Sequence, residues 1–125
     1  EAHYYRAKAY LDAGKVEGAM DDLKILAKDT RNIYGAEAKY KVAQIYFDAG
    51  QTEQAEKEVL DYIEVSTPHT YWLARSFVLL SDVYMKLGRN LDAKQYLLSL
   101  KQNYQADDDI AGMIESRLNK LNAEN

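Results

Sequence analysis

Apolar and polar residues alternate along this chain with the three- and four-residue spacing of amphipathic helices. Val42, Ile45 and Tyr46 mark one apolar face, and Val59 and Ile63, with Leu60 beside them, mark another. Residues spaced in this way lie on one side of an α-helix, where they can be buried together. The pattern predicts seven helices, at about residues 2–13, 16–29, 34–49, 52–66, 70–87, 90–104 and 108–122.

Three glycines place these helices in a repeating register. A tyrosine stands four residues before each glycine and an alanine five residues after it, and the glycines are 36 and 38 residues apart. A small residue also stands seven before, a bulky apolar residue three before, and an aliphatic residue nine after. The tyrosine, glycine and alanine are Tyr10, Gly14 and Ala19 in the first unit, Tyr46, Gly50 and Ala55 in the second, and Tyr84, Gly88 and Ala93 in the third. The small residues are Ala7, Ala43 and Ser81, the bulky apolar residues are Leu11, Phe47 and Met85, and the aliphatic residues are Leu23, Val59 and Leu97. A fixed register of this kind indicates an array of similar structural units.

Each unit is interpreted as a helical hairpin. The glycine ends the first helix, because glycine adopts the left-handed conformation that is common just past a helix end. The alanine is small because the second helix approaches the first closely there. Pro68 disfavours helix in the residue before it, which marks the end of the second unit. The predicted units are residues 1–33, 34–69 and 70–106 of a single domain, 1–125.

The last predicted helix differs from the others because it lacks the Tyr-x-x-x-Gly ending. The aspartates at 107–109 are predicted to cap it and to provide acidic residues in its first turn. Its apolar stripe consists of Ile110, Ile114, Leu118 and Leu121. We therefore expect residues 107–122 to form a capping helix, with a frayed tail at 122–125. At the other end, the helix before Gly14 is short relative to its counterparts, so the chain is expected to be a fragment of a longer protein.

Residues 7–14 (Ala-Lys-Ala-Tyr-Leu-Asp-Ala-Gly) and 43–50 (Ala-Gln-Ile-Tyr-Phe-Asp-Ala-Gly), each followed by alanine at plus five, resemble the tetratricopeptide repeat (TPR). The resemblance covers nearly the whole chain. The tryptophan usual early in each first helix is missing, and His3, Lys39 and Phe77 stand at that position. The unit length and the opening at 34–38 (Tyr-Gly-Ala-Glu-Ala) are similar to TPR proteins of the bacterial cell envelope, among them barrel-assembly lipoproteins and Tol-associated periplasmic proteins.

The resemblance implies an all-α fold, a right-handed α-α superhelix with three hairpins and a C-terminal capping helix. It also implies a binding groove lined by the first helices, at positions thirteen, ten, six and two before each glycine. These positions are Glu1 and the candidate groove residues Tyr4, Lys8, Asp12, Glu37, Tyr40, Gln44, Asp48, Arg75, Val78, Asp82 and Lys86. Tyr4 and Tyr40 have an alternative role, which is to pack on neighbouring helices. Trp72 is a candidate exposed anchor, or it packs over the preceding hairpin.

Charge and composition narrow the possible functions. A net charge of −4 without a basic stripe argues against binding nucleic acid, which requires clustered Lys and Arg. The longest apolar runs fall far short of the roughly 20 residues needed to span a membrane. The absence of cysteine excludes disulfides and thiolate metal sites within the sequence.

The sequence contains no recognisable catalytic or metal-binding motif. His3 and His69 lack partners at metal-ligand spacing, and the aspartates at 107–109 lack the alternating ligands of a calcium loop. No Gly-x-Ser-x-Gly elbow or glycine-rich phosphate loop occurs. We therefore predict a protein that is not an enzyme and uses no cofactor or metal.

The predicted function is an interaction scaffold that binds a peptide or protein segment in the groove, as part of a larger bacterial envelope protein. The expected location is the periplasm or cell envelope, with the cytoplasm as the alternative. A carboxylate clamp is not expected, because Tyr4 and Lys8 stand at its first-unit positions and Leu79 replaces an expected arginine. The alternative function is a structural spacer, or a module that self-associates through the ends of the array.

Overall fold

The computed structural model describes residues 1–65 and 67–123, and in these residues all regular structure is α-helical. The seven helices are α1 (Ala2–Asp12), α2 (Val16–Leu26), α3 (Ile33–Asp48), α4 (Thr52–Glu64), α5 (Thr70–Lys86), α6 (Asn90–Asn103) and α7 (Ile110–Ala123). The all-α prediction is confirmed. Of the predicted residues, Ser66 at the end of the fourth helix and the tail residues 124 and 125 lie outside the described residues.

Neighbouring helices pack in succession, which is the arrangement expected of a helical repeat. The pairs α1 and α2, α3 and α4, and α5 and α6 form three hairpins. The second helix of each of the first two hairpins packs on the next first helix, α2 on α3 and α4 on α5, and α3 also packs on α5. Helix α7 closes the array against α6 and α5.

The three repeat glycines end the first helices as the sequence predicts. Gly50 has a φ of 80°, and Gly14 and Gly88 have φ values of 75° and 78°. After α3, the Gly50 N–H donates to the carbonyl of Phe47 at 3.0 Å, and the Gln51 N–H donates to the carbonyl of Tyr46 at 2.9 Å. The same two bonds follow the other glycines. They form a Schellman motif, so the repeated tyrosine also accepts the bond that closes the turn through its backbone carbonyl.

The hairpins are held together by the small residues of the register. Ala19, Ala55 and Ala93 are each 0% exposed. A buried alanine at this position lets the second helix lie close to the first, and a larger side chain would have to push the helices apart.

The start of α7 differs from the prediction, because the helix begins at Ile110 and its first turn holds no acidic residue. The carboxylate of Asp108 accepts the backbone N–H of Ile110 at 2.9 Å and the hydroxyl of Tyr104 at 2.6 Å. The Ile110 N–H is the first of the backbone donors at the start of α7 that have no partner within the helix, so Asp108 caps the helix from just outside it. The helix then continues through residues 122 and 123, which were expected to fray.

Candidate protein-binding face

The first helices α1, α3 and α5 share a side that carries the predicted groove positions, and we call it the first-helix face. Four of its predicted residues are exposed, Lys8, Asp12, Asp48 and Lys86. Five are half-buried, Tyr4, Glu37, Gln44, Arg75 and Asp82. Tyr40 and Val78 are only 6% and 3% exposed, so they support the face from beneath and offer little surface to a partner.

Tyr4 ties the first hairpin to the second. Its hydroxyl donates to the two carboxylate oxygens of Glu37, at 3.2 and 3.3 Å, and Lys41 forms an ion pair with the same carboxylate. The Tyr4 ring also lies 4.5 Å from the ring of Tyr34, measured between centroids. Burial and then the Glu37 charge raise the pKa of Tyr4, because both disfavour ionisation of its hydroxyl.

Arg75 makes the equivalent link between the second and third hairpins. Its guanidinium donates to the hydroxyls of Tyr40, at 3.1 Å, and Tyr71, at 2.9 Å. The guanidinium carbon lies 4.9 Å from the ring centroid of Tyr40 and 5.8 Å from those of Tyr71 and Trp72, within cation–π range. Tyr71 in turn donates to Asp109, at 2.8 Å, just before α7.

The larger side chains at the predicted groove positions are engaged in contacts within the chain. Tyr4 and Tyr40 contact neighbouring helices, as in the alternative drawn from the sequence. Trp72 is half-buried, and its ring lies 5.7 Å from that of Tyr40 in the preceding hairpin. The buried part of the first-helix face is therefore linked from unit to unit, and its exposed predicted residues are the charged Lys8, Asp12, Asp48 and Lys86.

The C-terminal end of the face is fixed by α7. Arg117 donates to both carboxylate oxygens of Asp82, at 2.8 and 2.9 Å, a bidentate pair that holds α7 on α5. Beside this pair is a cleft of about 500 Å³, whose lining includes Phe47, Met85 and two lysines, Lys86 and Lys120. This end thus offers positive charge next to apolar surface.

A second set of contacts, which the sequence interpretation missed, crosses each hairpin at the position of the absent tryptophan. The residue eleven before the glycine meets the residue eight after it. In the second unit Lys39 Nζ lies 3.1 Å from Glu58 Oε2. In the third unit the rings of Phe77 and Tyr96 stack with their centroids 6.2 Å apart. The first unit pairs His3 with Asp22 at 2.8 Å. Comparing these two positions across the units would have revealed the pairing.

Asp22 is the most unusual of these residues, because it is a carboxylate that is only 1% exposed. Arg6 donates to both of its oxygens, at 2.8 and 2.6 Å, and His3 donates through Nδ1. The Arg6 hydrogen bond is the largest effect on the Asp22 carboxyl, and together with the His3 bond it outweighs burial and lowers the pKa to about 2. The contacts also explain Arg6, which stands where the other units have Val42 and Leu80.

The histidines are engaged separately at different places. His69 donates from Nε2 to the carbonyl of Arg31 at 2.9 Å, while His3 contacts Asp22. Over residues 1–65 and 67–123, the structure contains no group of three or more His, Cys, Asp or Glu side chains placed to hold a metal ion. The chemistry that the described side chains offer is hydrogen bonding, charge and aromatic packing.

The fold and its face define a class of protein, an array of helical hairpins with an exposed polar surface along its first helices. Residues 1–29, which span the first hairpin, match a protein-family model described as tetratricopeptide repeat. The match supports the TPR prediction for the first hairpin, and the helical hairpins that follow it are consistent with further repeats of the same kind. TPR units generally mediate protein–protein interaction, so the match supports a protein-interaction scaffold as the general kind of function.

The other comparisons do not extend this assignment. No curated protein and no solved structure gives a significant match to the chain. Within the described part of the sequence, none of the helices is both long enough and apolar enough to cross a bilayer.

Proposed function

We propose that the chain binds a peptide or protein segment along the first-helix face. This proposal is supported by a difference between two sets of side chains on the face: the more buried ones are bonded within the chain, and the exposed lysines have no ion pair with the described residues. The buried part is held by bonds such as Tyr4 to Glu37 and Arg75 to Tyr40, whereas Lys8 and Lys86 are exposed and form no ion pair with the described residues. A surface that is already ordered loses less conformational entropy on binding.

The exposed residues, and not the buried part of the face, are therefore the best probes of this function. Tyr40 and Arg75 would be poor probes, because Tyr40 is buried and Arg75 contacts three aromatic rings. Replacing either residue would weaken the packing between units, and a loss of binding could then reflect partial unfolding.

The test is capture of proteins from an extract of the source organism, identified by mass spectrometry. Lys8→Glu with Lys86→Glu should abolish capture of a specific protein and leave the thermal melt unchanged, because both side chains are exposed. The matched control is Lys15→Glu with Lys57→Glu, which makes the same change of charge at exposed positions away from the face. Unchanged capture by the first variant, or equal loss in both, would contradict the proposal.

We also propose that the chain belongs to a larger protein of the bacterial envelope, located in the periplasm. The support is the similarity of its unit length and of residues 34–38 to TPR proteins of that compartment. Fractionation of cells of the source organism tests this location with an antibody against the chain. Recovery with the periplasmic or envelope fraction is expected, and recovery only with the cytoplasm would contradict it.

A structural spacer that self-associates is the second candidate, and the outer side of α6 favours it. Leu91 is 71% exposed and Leu98 is 45% exposed, and seven residues place them on one side of the helix. Exposed apolar side chains that lie together can form an interface. Sedimentation velocity over a range of concentrations tests this function. A dimer that Leu91→Glu dissociates would support it, and a monomer at all concentrations would contradict it.

A further inference from the structure

A cleft of about 880 Å³ opens between the second helices α2 and α4, with α3 as its floor. We call it the α2–α4 cleft. Its floor contains Val42 and Tyr46, and the turn after α2 closes one side. The other lining residues are Lys24, Ala27, Lys28, Asp29, Thr30, Arg31, Lys39, Glu58, Asp61 and Val65.

The cleft lies on the opposite side of α3 from the first-helix face. Its floor uses positions eight and four before Gly50, whereas the first-helix face uses positions ten and six before it. At 3.6 residues per turn, these two pairs are separated by roughly half a turn around the helix axis. A ligand in the α2–α4 cleft would therefore not compete directly for the first-helix face.

The cleft is open because its side chains differ from those at the equivalent place in the third unit. In the third unit the centroid of the Tyr96 ring lies 6.2 Å from that of Phe77 and 5.6 Å from that of Tyr84. These stacked rings fill the space. In the second unit Lys39 and Glu58 replace Phe77 and Tyr96 and form an ion pair instead. The equivalent positions therefore hold packed rings in the third unit and an ion pair in the second.

The α2 side of the cleft carries positive charge that the described residues leave without an ion pair. Lys24 and Lys28 are exposed, and neither forms an ion pair with any described residue. The Lys24 ammonium lies 5.7 Å from the centroid of the Tyr46 ring, so it is oriented over the cleft floor. Arg31 adds a third cation, which among the described residues forms an ion pair only with the exposed Asp29, at 3.5 Å. This cluster stands out in a chain whose net charge is −4.

The α4 side of the cleft is acidic, but Lys39 partly neutralises its charge. Lys39 rises from the floor and contacts Glu58 at 3.1 Å and Asp61 at 2.6 Å. Burial lowers the pKa of the Lys39 ammonium, but its bonds to Asp61 and Glu58 reverse this effect, and the net pKa is raised. Lys39 therefore stays charged at neutral pH. A bound polyanion with charge on all sides, such as a nucleic acid, would meet the remaining negative charge of this wall.

We propose that the α2–α4 cleft binds an acidic peptide segment, with its carboxylates directed to Lys24 and Lys28 and an apolar side chain placed on Tyr46, which is half-buried in the floor. A peptide can present charge on one side only, which matches a cleft with one cationic wall and an apolar floor. Charge complementarity of this kind gives specificity and faster association. The site is separate from the first-helix face, so a negative result at one of the two sites would not contradict the proposal for the other.

The experiment measures fluorescence anisotropy of short labelled peptides that share one apolar pattern and carry either glutamate or glutamine between the apolar residues. The glutamate peptide should bind the wild type at least about tenfold more tightly than its glutamine counterpart. Lys24→Glu with Lys28→Glu should weaken binding of the glutamate peptide by a similar factor. Lys15→Glu with Lys57→Glu, the matched charge control, should change it by less than about twofold.

A second variant tests the cleft itself without altering its cationic wall. Lys39→Phe with Glu58→Tyr copies the pair found in the third unit and should fill the cleft, which abolishes binding while Lys24 and Lys28 remain. Equal binding of the two peptides, or full binding by the filled variant, would overturn the proposal. A dimer of the chain that Lys24→Glu with Lys28→Glu dissociates would also overturn it, because the occupant would then be a second copy.

Discussion

Gly35 offers the sharpest test of how the first two units are joined. It lies in the first turn of α3, where a Cβ atom would stand 1.9 Å from the carbonyl oxygen of Asp29 and 2.7 Å from that of Leu26. Both contacts are with backbone atoms, one at the end of α2 and one in the turn after it, so no side chain can rotate away. Gly35→Ala must therefore move the turn and α3 apart.

The cost of this movement can be estimated from the two opposing effects of the substitution. Overpacking in a well-packed region costs about 1–3 kcal/mol and occasionally more, and a contact with backbone atoms belongs at the upper end. Alanine gains back up to about 1 kcal/mol, since it is the better helix former. The expected net loss of unfolding free energy is about 2–3 kcal/mol.

The measurement is urea unfolding followed by far-ultraviolet circular dichroism. Gly112→Ala is the matched control, because Gly112 is exposed on α7 and a Cβ there would meet nothing within 4 Å. That change should leave stability the same or raise it by up to about 1 kcal/mol. If Gly35→Ala unfolded within about 0.5 kcal/mol of the wild type, the close approach between the turn and α3 would be refuted.

Three further substitutions test the register and the buried carboxylate. Gly50→Ala should cost about 1–2 kcal/mol in the same urea assay, because φ at this position is 80°; no loss would contradict the left-handed turn. Ala55→Leu should cost about 1–3 kcal/mol by overpacking the hairpin, as measured by thermal and urea unfolding; a neutral result would contradict the close crossing. The Asp22 pKa is lowered from 3.8 to about 2, so its contribution is present above pH 4 and is lost as the pH falls towards 2. The stability difference between the wild type and Asp22→Asn should therefore be on the order of 1–2 kcal/mol at neutral pH and shrink below pH 4; a constant difference would contradict the assigned pKa.

The fold was largely predictable because glycine and alanine, at the fixed spacing seen here, are each compatible with only a few structural arrangements. A glycine preceded by a regularly spaced tyrosine and followed by a buried alanine specifies a helix end and a close helix crossing, and the second unit shows them at Gly50 and Ala55. Helix ends were less predictable, as the start of α7 shows. The bond from Asp108 to the N–H of Ile110 depends on the local backbone path, which the sequence pattern does not specify.

The first-helix face could be predicted only in outline. Side chains such as Lys8 and Asp48 were placed on the correct helices, but the contacts between units depend on the angle and separation of neighbouring helices. The bond from Arg75 to Tyr40 is one such contact. Asp22 was missed for a different reason, since beside Asp21 it resembles a surface charge, and its burial depends on Arg6 and His3 of another helix.

The central claim is that the first-helix face binds another protein, and site-specific photo-crosslinking tests it most directly. A photoreactive residue is introduced in separate variants at Lys8, Gln44 or Lys86 on that face, and at Lys15 or Lys57 elsewhere on the surface. In cells of the source organism, the three face variants should form adducts with the same second protein, and the two others should not. Adducts confined to Lys15 or Lys57, or adducts only between copies of this chain, would contradict the claim.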